Sequence, residues 1–173
     1  MRIDIIFDTI CPWCYIGKKR LEEALALGPM DDFEIHWNAF LLNPEMPPEG
    51  MDAREYMRAK FGGEARASRV YSAITRTGLA SGIKFRMDRI NWVPSTVDSH
   101  RVIRFAERDG LAGAAVEAMF QSYFMEGRDI GIRSALVDIG EAIGLNRAAL
   151  RQYLASEEDR AEVIEQNSRA HRL

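Results

Sequence analysis

Cysteine is scarce in this chain, which has two in 173 residues, Cys11 and Cys14, separated by two positions. Two cysteines cannot build a framework of several structural disulfides. They also supply only half of the four ligands of a structural zinc site, and the three histidines, His36, His100 and His171, are scattered. The pair is therefore a redox pair, half of a shared metal site, or two incidental thiols.

Long apolar runs and an excess of basic charge are missing too. No run approaches the roughly 20 residues that span a bilayer, and the N-terminus, "MRIDIIFD", is too short and too early charged for a signal peptide. A net charge of −3 argues against nucleic acid as a partner, and 47% hydrophobic with 28% charged residues is ordinary for a globular domain. We therefore predict a cytoplasmic protein, where thiol pools keep structural disulfides reduced and a cysteine pair is expected to do chemistry.

The cysteine pair stands between a predicted strand and a predicted helix. "RIDIIF", residues 2–7, is rich in β-branched residues and nearly continuous in apolar ones, as in a buried strand. "YIGKKRLEEAL" follows with the pattern of an amphipathic helix that ends near Gly28 and Pro29, and "FEIHWNAF", residues 33–40, predicts a second strand. Two strands joined by a helix predict a right-handed βαβ unit, with Pro12 in the first helical turn.

A thiol at the start of a helix is expected to ionise readily. The first helical N–H groups have no partner within the helix, and the helix dipole places partial positive charge there. We therefore expect the pKa of Cys11 to lie well below its free value of about 8.5. In this geometry Cys11 is the more exposed thiol and attacks a substrate disulfide. Cys14, one turn further on and buried, resolves the mixed disulfide.

"CPWCYIGKKRLEEAL", preceded by "IDIIFD", resembles the DsbA-like thioredoxin-fold oxidoreductases, in particular their FrnE-like branch, which is related to the 2-hydroxychromene-2-carboxylate isomerases. The resemblance continues in the family's order, over nearly the whole chain, through "FLLNPEMPPEG", "VPSTVDSHRVIRFA", "MFQSYFMEGRDIG" and "LRQYLASEE". It implies an α/β, thioredoxin-like fold in which a large all-helical insertion follows the βαβ unit with the cysteine pair.

The resemblance also implies thiol–disulfide exchange, the oxidation or isomerisation of disulfides. By the motif match Cys11 is the nucleophile, Cys14 is the resolving thiol, and Pro12 and Trp13 are the dipeptide that tunes the pair. No metal or dissociable cofactor is expected, since the redox pair carries the electrons and glutathione or another thiol would recycle it. The expected partner is a disulfide- or thiol-containing protein or small molecule, and neither nucleic acid nor a membrane.

One element that this family normally carries has no counterpart here. Its Gly-Val-Pro segment follows the insertion, and the cis proline lies against the cysteine pair. All prolines of this chain stand before residue 95: Pro12, Pro29, Pro44, Pro47, Pro48 and Pro94. We therefore expect a fragment or truncated product without the last two strands and final helix of the fold. A sheet cut after two strands leaves an open edge, which a homodimer could cover.

Three segments are predicted: residues 1–45 as the thioredoxin-like βαβ unit, 46–154 as the helical insertion, and 155–173 as a helix that returns to the core. Helix follows helix over residues 52–154, with no strand added to the sheet. In "VDSHRVIRFAERDG", Arg101 shares a face with apolar residues, and His100 is assigned a packing or capping role. "GKKR" is interpreted as a solvated helix face, and the last helix is predicted to begin at Ser156.

Three alternatives to a disulfide oxidoreductase remain open. A glutathione-dependent isomerase of the 2-hydroxychromene-2-carboxylate type usually carries serine at the position of Cys11, so the intact pair argues against it. A binding or chaperone module would use the helical surface and leave the thiols incidental. A metal-binding dimer would take Cys11 and Cys14 from each of two subunits as four ligands.

Overall fold

Eight α-helices and four strands form the part of the chain that the computed structural model describes, residues 1–28 and 33–173. The strands are β1 (Arg2–Phe7), β2 (Glu34–Ala39), β3 (Met51–Asp52) and β4 (Trp92–Val93). The helices are α1 (Pro12–Leu25), α2 (Ala53–Phe61), α3 (Glu64–Ala80), α4 (Val97–Glu107), α5 (Ala112–Phe124), α6 (Arg133–Ala142), α7 (Arg147–Ala155) and α8 (Arg160–Ala170), with a short 3-10 helix at Met87–Arg89. None of these helices combines the length and apolar character that crossing a bilayer requires.

β1 and β2 pair in parallel, in register from Arg2 with Glu34 to Phe7 with Ala39. Both strands fall within the runs that the sequence predicted, because short apolar and β-branched stretches set them locally. In a parallel pair the carboxyl ends of both strands meet at one edge of the sheet. The residues that follow Phe7 and those that follow Ala39 therefore lie together there.

α1 connects the two strands, as the predicted βαβ unit requires. It ends at Leu25, shortly before Gly28, where the prediction placed its end. Pro29, the other predicted stop signal, lies outside the described residues. The helix packs its buried residues Tyr15 and Ile16 into the core, so its apolar side faces the insertion helices.

A two-residue ladder breaks the helical character of the insertion. β3 pairs antiparallel with β4, Met51 opposite Val93, and does not join the β1–β2 sheet. Gly50 makes the approach possible: it has φ 79°, and a Cβ there would lie 2.5 Å from the Trp92 indole nitrogen. The ladder was not predicted, because two residues are too few for an alternating pattern. The insertion is otherwise helical, as expected.

One hydrophobic cluster joins the sheet, α1 and the insertion helices. The Tyr15 ring stacks on Phe120 of α5 at a centroid distance of 4.8 Å, and Phe7 at the end of β1 meets the same Phe120 ring edge-on at 6.0 Å. Aromatic pairs in these geometries add to the free energy of apolar burial. The core under the cysteine turn is therefore built from both the βαβ unit and the insertion helices. The division of the chain into segments 1–45, 46–154 and 155–173 stays a prediction.

α8 packs against β2 through buried amide side chains. The Gln166 Oε1 atom accepts the N–H of Ala39, and the Asn167 Oδ1 atom accepts the N–H of Leu41, each at 2.9 Å. These bonds satisfy backbone donors at the end of β2 that would otherwise be buried unpaired. The helix begins at Arg160 and not at Ser156 as predicted. The buried Arg101 of α4 donates hydrogen bonds to the carbonyls of Ser156 and Glu158, and these bonds hold the residues before Arg160 in a turn.

Candidate active site

Cys11 and Cys14 lie at the junction of β1 and α1. Cys11 is extended (φ −90°, ψ 109°) and immediately precedes the helix, whose first residue is Pro12. Its N–H donates to the Asp8 carbonyl at 3.0 Å, which closes the turn, and its carbonyl accepts the N–H of Cys14 at 3.1 Å. No side chain caps the first helical N–H groups. The spacing thus sets both thiols in one turn, beside donors that can stabilise a thiolate.

Both cysteines are free thiols, and their surroundings shift their pKa values in opposite directions. A hydrogen bond from the Cys14 thiol lowers the pKa of Cys11 to about 7; burial opposes this, and backbone N–H groups of Cys14 and Trp13 assist it. The same side-chain contact and burial raise the pKa of Cys14. The pKa of Cys11 is therefore the lower of the two, and its main cause is the Cys14 hydrogen bond, which the helix-start argument did not include.

Exposure separates the two thiols less than expected. Cys11 and Cys14 are both half-buried, so the expected full burial of Cys14 is not seen. Cys14 does pack against the hydrophobic core. Trp13, between the two cysteines, is 49% exposed and presents a large apolar ring to solvent next to Cys11.

Buried polar side chains adjoin the pair, and the sequence analysis did not group them. Asp8 is fully buried, its Oδ2 atom accepts the Leu42 N–H at 2.7 Å, and its Oδ1 atom lies 3.4 Å from Nε2 of His100. The hydroxyls of Thr9 and Ser99 are 2.8 Å apart and also buried. For His100 a packing or capping role was preferred to a catalytic one, and no short motif in the sequence links α4 to the end of β1.

The first turns of α1 are tied to α5 by ion pairs. Lys18, whose side chain is 5% exposed, binds Glu117 of α5 and Glu22 of its own helix. Lys19 lies 2.9 Å from Glu117 Oε1, and the Tyr15 hydroxyl donates to the same oxygen at 2.9 Å. The prediction that "GKKR" is a solvated face is therefore wrong for Lys18. Its partner Glu117 is too distant in the sequence for a local pattern to reveal.

Glu117→Gln is expected to remove an acid-sensitive part of the stability. Burial alone would raise the pKa of Glu117, but hydrogen bonds from Lys18, Lys19 and Gln121 lower it to about 2. Because this lies below the unfolded value of about 4.3, the carboxylate stabilises the fold fully above about pH 5, and the contribution is lost as the pH falls toward 2. We expect Glu117→Gln to lower the free energy of unfolding by about 2–3 kcal/mol at pH 7 and by about 1 kcal/mol at pH 3.

Denaturant unfolding at the two pH values measures this difference. Glu157→Gln is the matched control, because its side chain is 77% exposed and its contact with Arg160 is 3.4 Å long. We expect the control to change the free energy of unfolding by less than about 0.5 kcal/mol at either pH. An equal loss at pH 7 and pH 3 in Glu117→Gln would show that the carboxylate contributes packing and not charge.

The remaining histidines lie in other surroundings. His36 Nε2 is 2.9 Å from Glu34 Oε1, and the His171 ring packs against Phe40 at a centroid distance of 4.9 Å. Across residues 1–28 and 33–173, no three His, Cys, Asp or Glu side chains are grouped as metal ligands would be. The metal-binding dimer, which would draw its ligands from two subunits, stays an open alternative to the expected site without metal.

Known proteins share this fold. The family model described as the DSBA-like thioredoxin domain matches residues 2–173. The structure of a probable DsbA oxidoreductase from Streptomyces coelicolor is 29% identical with a TM-score of 0.89, over 99% of this chain and 75% of that one. The cytosolic disulfide reductase DsbM from Pseudomonas aeruginosa is 20% identical with a TM-score of 0.71, over 99% and 79%. The uncharacterised protein YwbO of Bacillus subtilis is 23% identical over 158 residues, 89% of this chain and 72% of YwbO.

These matches confirm the predicted α/β, thioredoxin-like fold with a helical insertion. A 2-hydroxychromene-2-carboxylate isomerase shares the fold as well, with a TM-score of 0.72 at 18% identity over 98% of this chain and 79% of that one. Because the family model covers nearly the whole chain, this protein belongs to the family of DsbA-like thioredoxin domains.

Proposed function

We propose that this protein catalyses thiol–disulfide exchange, with Cys11 as the nucleophile and Cys14 as the resolving thiol. The observation that carries the proposal is the position of the two free thiols in one turn at the start of α1, with Cys11 directly before Pro12. A hydrogen bond from the Cys14 thiol, helped by backbone N–H groups at the start of the helix, lowers the pKa of Cys11 to about 7. Near pH 7 roughly half of such a thiol is thiolate, against a few per cent of an ordinary cysteine. Membership in the DsbA-like family supports the same chemistry.

The proposed reaction has two exchange steps. The Cys11 thiolate attacks one sulfur of a substrate disulfide, a Cys11–substrate bond forms, and the other substrate sulfur leaves as a thiolate. Cys14 then loses its proton and attacks the Cys11 sulfur, which releases the second substrate thiolate and leaves a Cys11–Cys14 disulfide. The substrate has gained two electrons and the protein has lost two. The same steps in reverse oxidise a dithiol substrate.

Glutathione is the proposed recycling thiol. Two glutathione molecules reduce the Cys11–Cys14 disulfide and leave as glutathione disulfide, so no dissociable cofactor is required. DsbM, which shares the fold at 20% identity, has a structure with glutathione, and this supports the choice. We place the reaction in the cytoplasm. The exposed Trp13 ring beside Cys11 is the proposed contact for apolar parts of a protein or small-molecule disulfide.

Exchange with a small disulfide tests the proposal. Hydroxyethyl disulfide and glutathione are mixed with the protein, and formation of glutathione disulfide is followed with a coupled reductase. We expect a rate well above the uncatalysed exchange, and a loss of at least about a hundredfold in Cys11→Ser because serine cannot supply a thiolate. Glu23→Gln, an exposed change on the same helix, is the matched control and should keep the rate of the unaltered protein.

Two results would contradict the proposal. The first is a folded, unaltered protein that does not raise the rate above that of the uncatalysed exchange, either with hydroxyethyl disulfide or with a protein disulfide such as insulin. That result would exclude catalysis of disulfide exchange. Full activity in Cys11→Ser would assign the reaction to another group.

A further inference from the structure

A groove of about 980 Å³ lies along α2 and α3, and residues of the short 3-10 helix form its opposite wall. The α3 residues that line it recur every three or four positions from Ala67 to Leu79, so they form one face of the helix. At 1.5 Å per residue this face is roughly 18 Å long, the length of about five or six extended residues. The α2–α3 groove therefore has the dimensions of a site for a short peptide segment.

The floor of the groove is apolar. Tyr71, Met87 and Ile90 line it, and they pack against the hydrophobic core. The Tyr71 hydroxyl donates to the sulfur of Met57 at 2.8 Å, so this polar atom already has a partner. Leu79, near the end of α3, is 60% exposed. Methionine side chains adapt to varied shapes, and a concave surface of this kind favours the binding of apolar side chains.

The two helices carry positive charge in a chain that is negative as a whole. Residues 53–80 contain six Arg or Lys and two Glu, a net charge of +4, while the net charge of the chain is −3. Two of these arginines, Arg54 and Arg76, line the groove and are exposed. Neither forms an ion pair with a residue of the described ranges 1–28 and 33–173. The groove therefore offers two arginine side chains to a negatively charged ligand.

The two carboxylates that line the groove have partners of their own. Asp52 caps α2, and its Oδ1 atom accepts the Arg54 N–H at 2.9 Å. Asp88 forms an ion pair with Arg86 at 2.7 Å. The charges that remain for a ligand are those of Arg54 and Arg76, so the groove attracts acidic groups and disfavours basic ones.

The two arginines lie toward the same end of the groove. Two glycines join α2 to α3, and the contact between Met57 and Tyr71 shows that the helices pass each other in opposite directions. Arg54 is one turn further from the joining glycines than Met57, and Arg76 lies in the same direction from Tyr71. A ligand with its acidic groups at one end therefore fits this arrangement.

The same end of the groove adjoins α1. Ser81, directly after α3, accepts a hydrogen bond from Arg20 of α1 at 3.1 Å. Arg20 lies nine positions after Cys11, roughly 14 Å along the helix. A protein partner covers about 800 Å² in an interface of standard size, so one protein substrate can contact the groove and reach Cys11. A small disulfide is too short to do both.

We propose that the α2–α3 groove binds a short segment of a protein substrate in which acidic residues follow apolar ones. The inference rests on the proposed disulfide exchange and names the class of protein disulfide that this protein prefers. The apolar side chains lie on the floor of the groove, and the carboxylates bind Arg54 and Arg76, whose planar donors also fix their orientation. A single strand of nucleic acid is favoured less, because it stacks its bases on aromatic rings and Tyr71 is the one aromatic residue among the described residues that line the groove.

Binding of two capped hexapeptides tests the inference. Their sequences are Leu-Phe-Ser-Leu-Glu-Glu and Leu-Phe-Ser-Leu-Lys-Lys, which differ only in the sign of the charged end. Each is titrated at pH 7 into isotopically labelled protein, and the NMR shifts of the α3 amides give both the affinity and the position. We expect the glutamate peptide to bind at least about tenfold more tightly than the lysine peptide, and to bind more weakly as the salt concentration rises.

Charge reversal in the groove should reverse this preference. In the double variant Arg54→Glu with Arg76→Glu, the lysine peptide should bind at least about tenfold more tightly than the glutamate peptide, because the groove then repels carboxylates. Arg58→Glu with Arg69→Glu is the matched control: both side chains are exposed on the same two helices and do not line the groove, and the net charge changes equally. This control should keep the preference for the glutamate peptide. Leu79→Ser should weaken the binding of both peptides, by about fivefold, because an apolar contact is lost.

Exchange with the same peptides relates the groove to the cysteine pair. Each peptide is extended beyond its charged end by about ten Gly and Ser residues, which span roughly 17 Å on average, and by a cysteine in a mixed disulfide with 2-mercaptoethanol. We expect kcat/KM to be about tenfold higher for the glutamate peptide, mainly through a lower KM. The rate with hydroxyethyl disulfide should be the same in Arg54→Glu with Arg76→Glu as in the unaltered protein.

Several results would overturn the inference. They are equal affinity for the two peptides, a preference that survives charge reversal in the groove, and equal kcat/KM for the two disulfide peptides. Tighter binding of a six-nucleotide oligothymidylate than of the glutamate peptide would assign the surface to nucleic acid, and α3 shifts that depend on protein concentration alone would assign it to a second copy of the chain. Peptide binding requires no turnover, so inactivity of the unaltered protein with every disulfide would reject the proposed function separately.

Discussion

Cys14→Ser is expected to convert the proposed catalyst into a covalent trap. Cys11 can still attack a disulfide, because the serine hydroxyl can replace the Cys14 hydrogen bond that lowers the pKa of Cys11. The resulting mixed disulfide cannot be resolved, since a hydroxyl does not attack sulfur at neutral pH. We expect most of the variant to carry one glutathione after incubation with glutathione disulfide, and the unaltered protein to carry little. Mass spectrometry of the intact protein measures both.

Cys11→Ser is the matched control for this trap. Without Cys11, burial and the Asp8 carboxylate still raise the pKa of Cys14, so Cys14 stays a thiol and forms little adduct at pH 7. The two variants are compared by the fraction of protein that carries glutathione. If Cys11→Ser carries as much glutathione on Cys14 as Cys14→Ser carries on Cys11, the assignment of Cys11 as the nucleophile and Cys14 as the resolving thiol is wrong. Absence of an adduct in both variants would exclude a mixed-disulfide mechanism.

The cysteine turn could be predicted because its determinants are local. A run of β-branched residues ends, Pro12 stands where a first helical residue loses nothing, and the pair lies within one turn. Those features alone placed β1 and the start of α1. The resemblance to DsbA-like proteins added the helical insertion, which the family model confirms.

The surroundings of the pair could not be predicted in the same way. Lys18 reads as part of a charged helix face, yet its partner Glu117 lies 99 positions along the chain. Asp8 and His100 are also brought together only by the packing of α4 against the end of β1. A single sequence shows the residue types at such positions but not their pairing, because tertiary contacts override the local pattern.

Arg101 shows the same limit at the start of α8. The sequence places it partly on an apolar face of α4, which a charged residue should avoid. In the structure its side chain is 0% exposed, and the guanidinium lies over the Tyr153 ring at 4.9 Å. It donates to the carbonyls of Tyr153, Ser156 and Glu158 and to Asp98, each at 2.8 Å. These bonds hold the segment before α8 out of the helix, which explains the later start of α8.

Arg101→Met is therefore expected to be among the most destabilising single changes in the chain. It keeps much of the side-chain volume but leaves three carbonyl groups and the Asp98 carboxylate without this donor. Breaking a buried ionic network in this way costs about 3–5 kcal/mol. Arg101→Lys keeps the charge but not the planar set of donors, so we expect a loss of about 2 kcal/mol or more. Denaturant unfolding measures both.

Arg108→Met, at the residue directly after α4, is the matched control. Arg108 binds Glu158 and Asp159 at 2.8 and 2.9 Å, but its side chain is 44% exposed, so we expect a loss below about 1 kcal/mol. Hydrogen exchange adds a local readout at the Ala39 and Leu41 amides, which α8 side chains bind. If Arg101 holds α8 in place, these two amides should exchange faster in Arg101→Met by more than the loss of global stability explains. Losses of equal size in Arg101→Met and Arg108→Met would show that burial of the Arg101 network adds nothing beyond a surface ion pair.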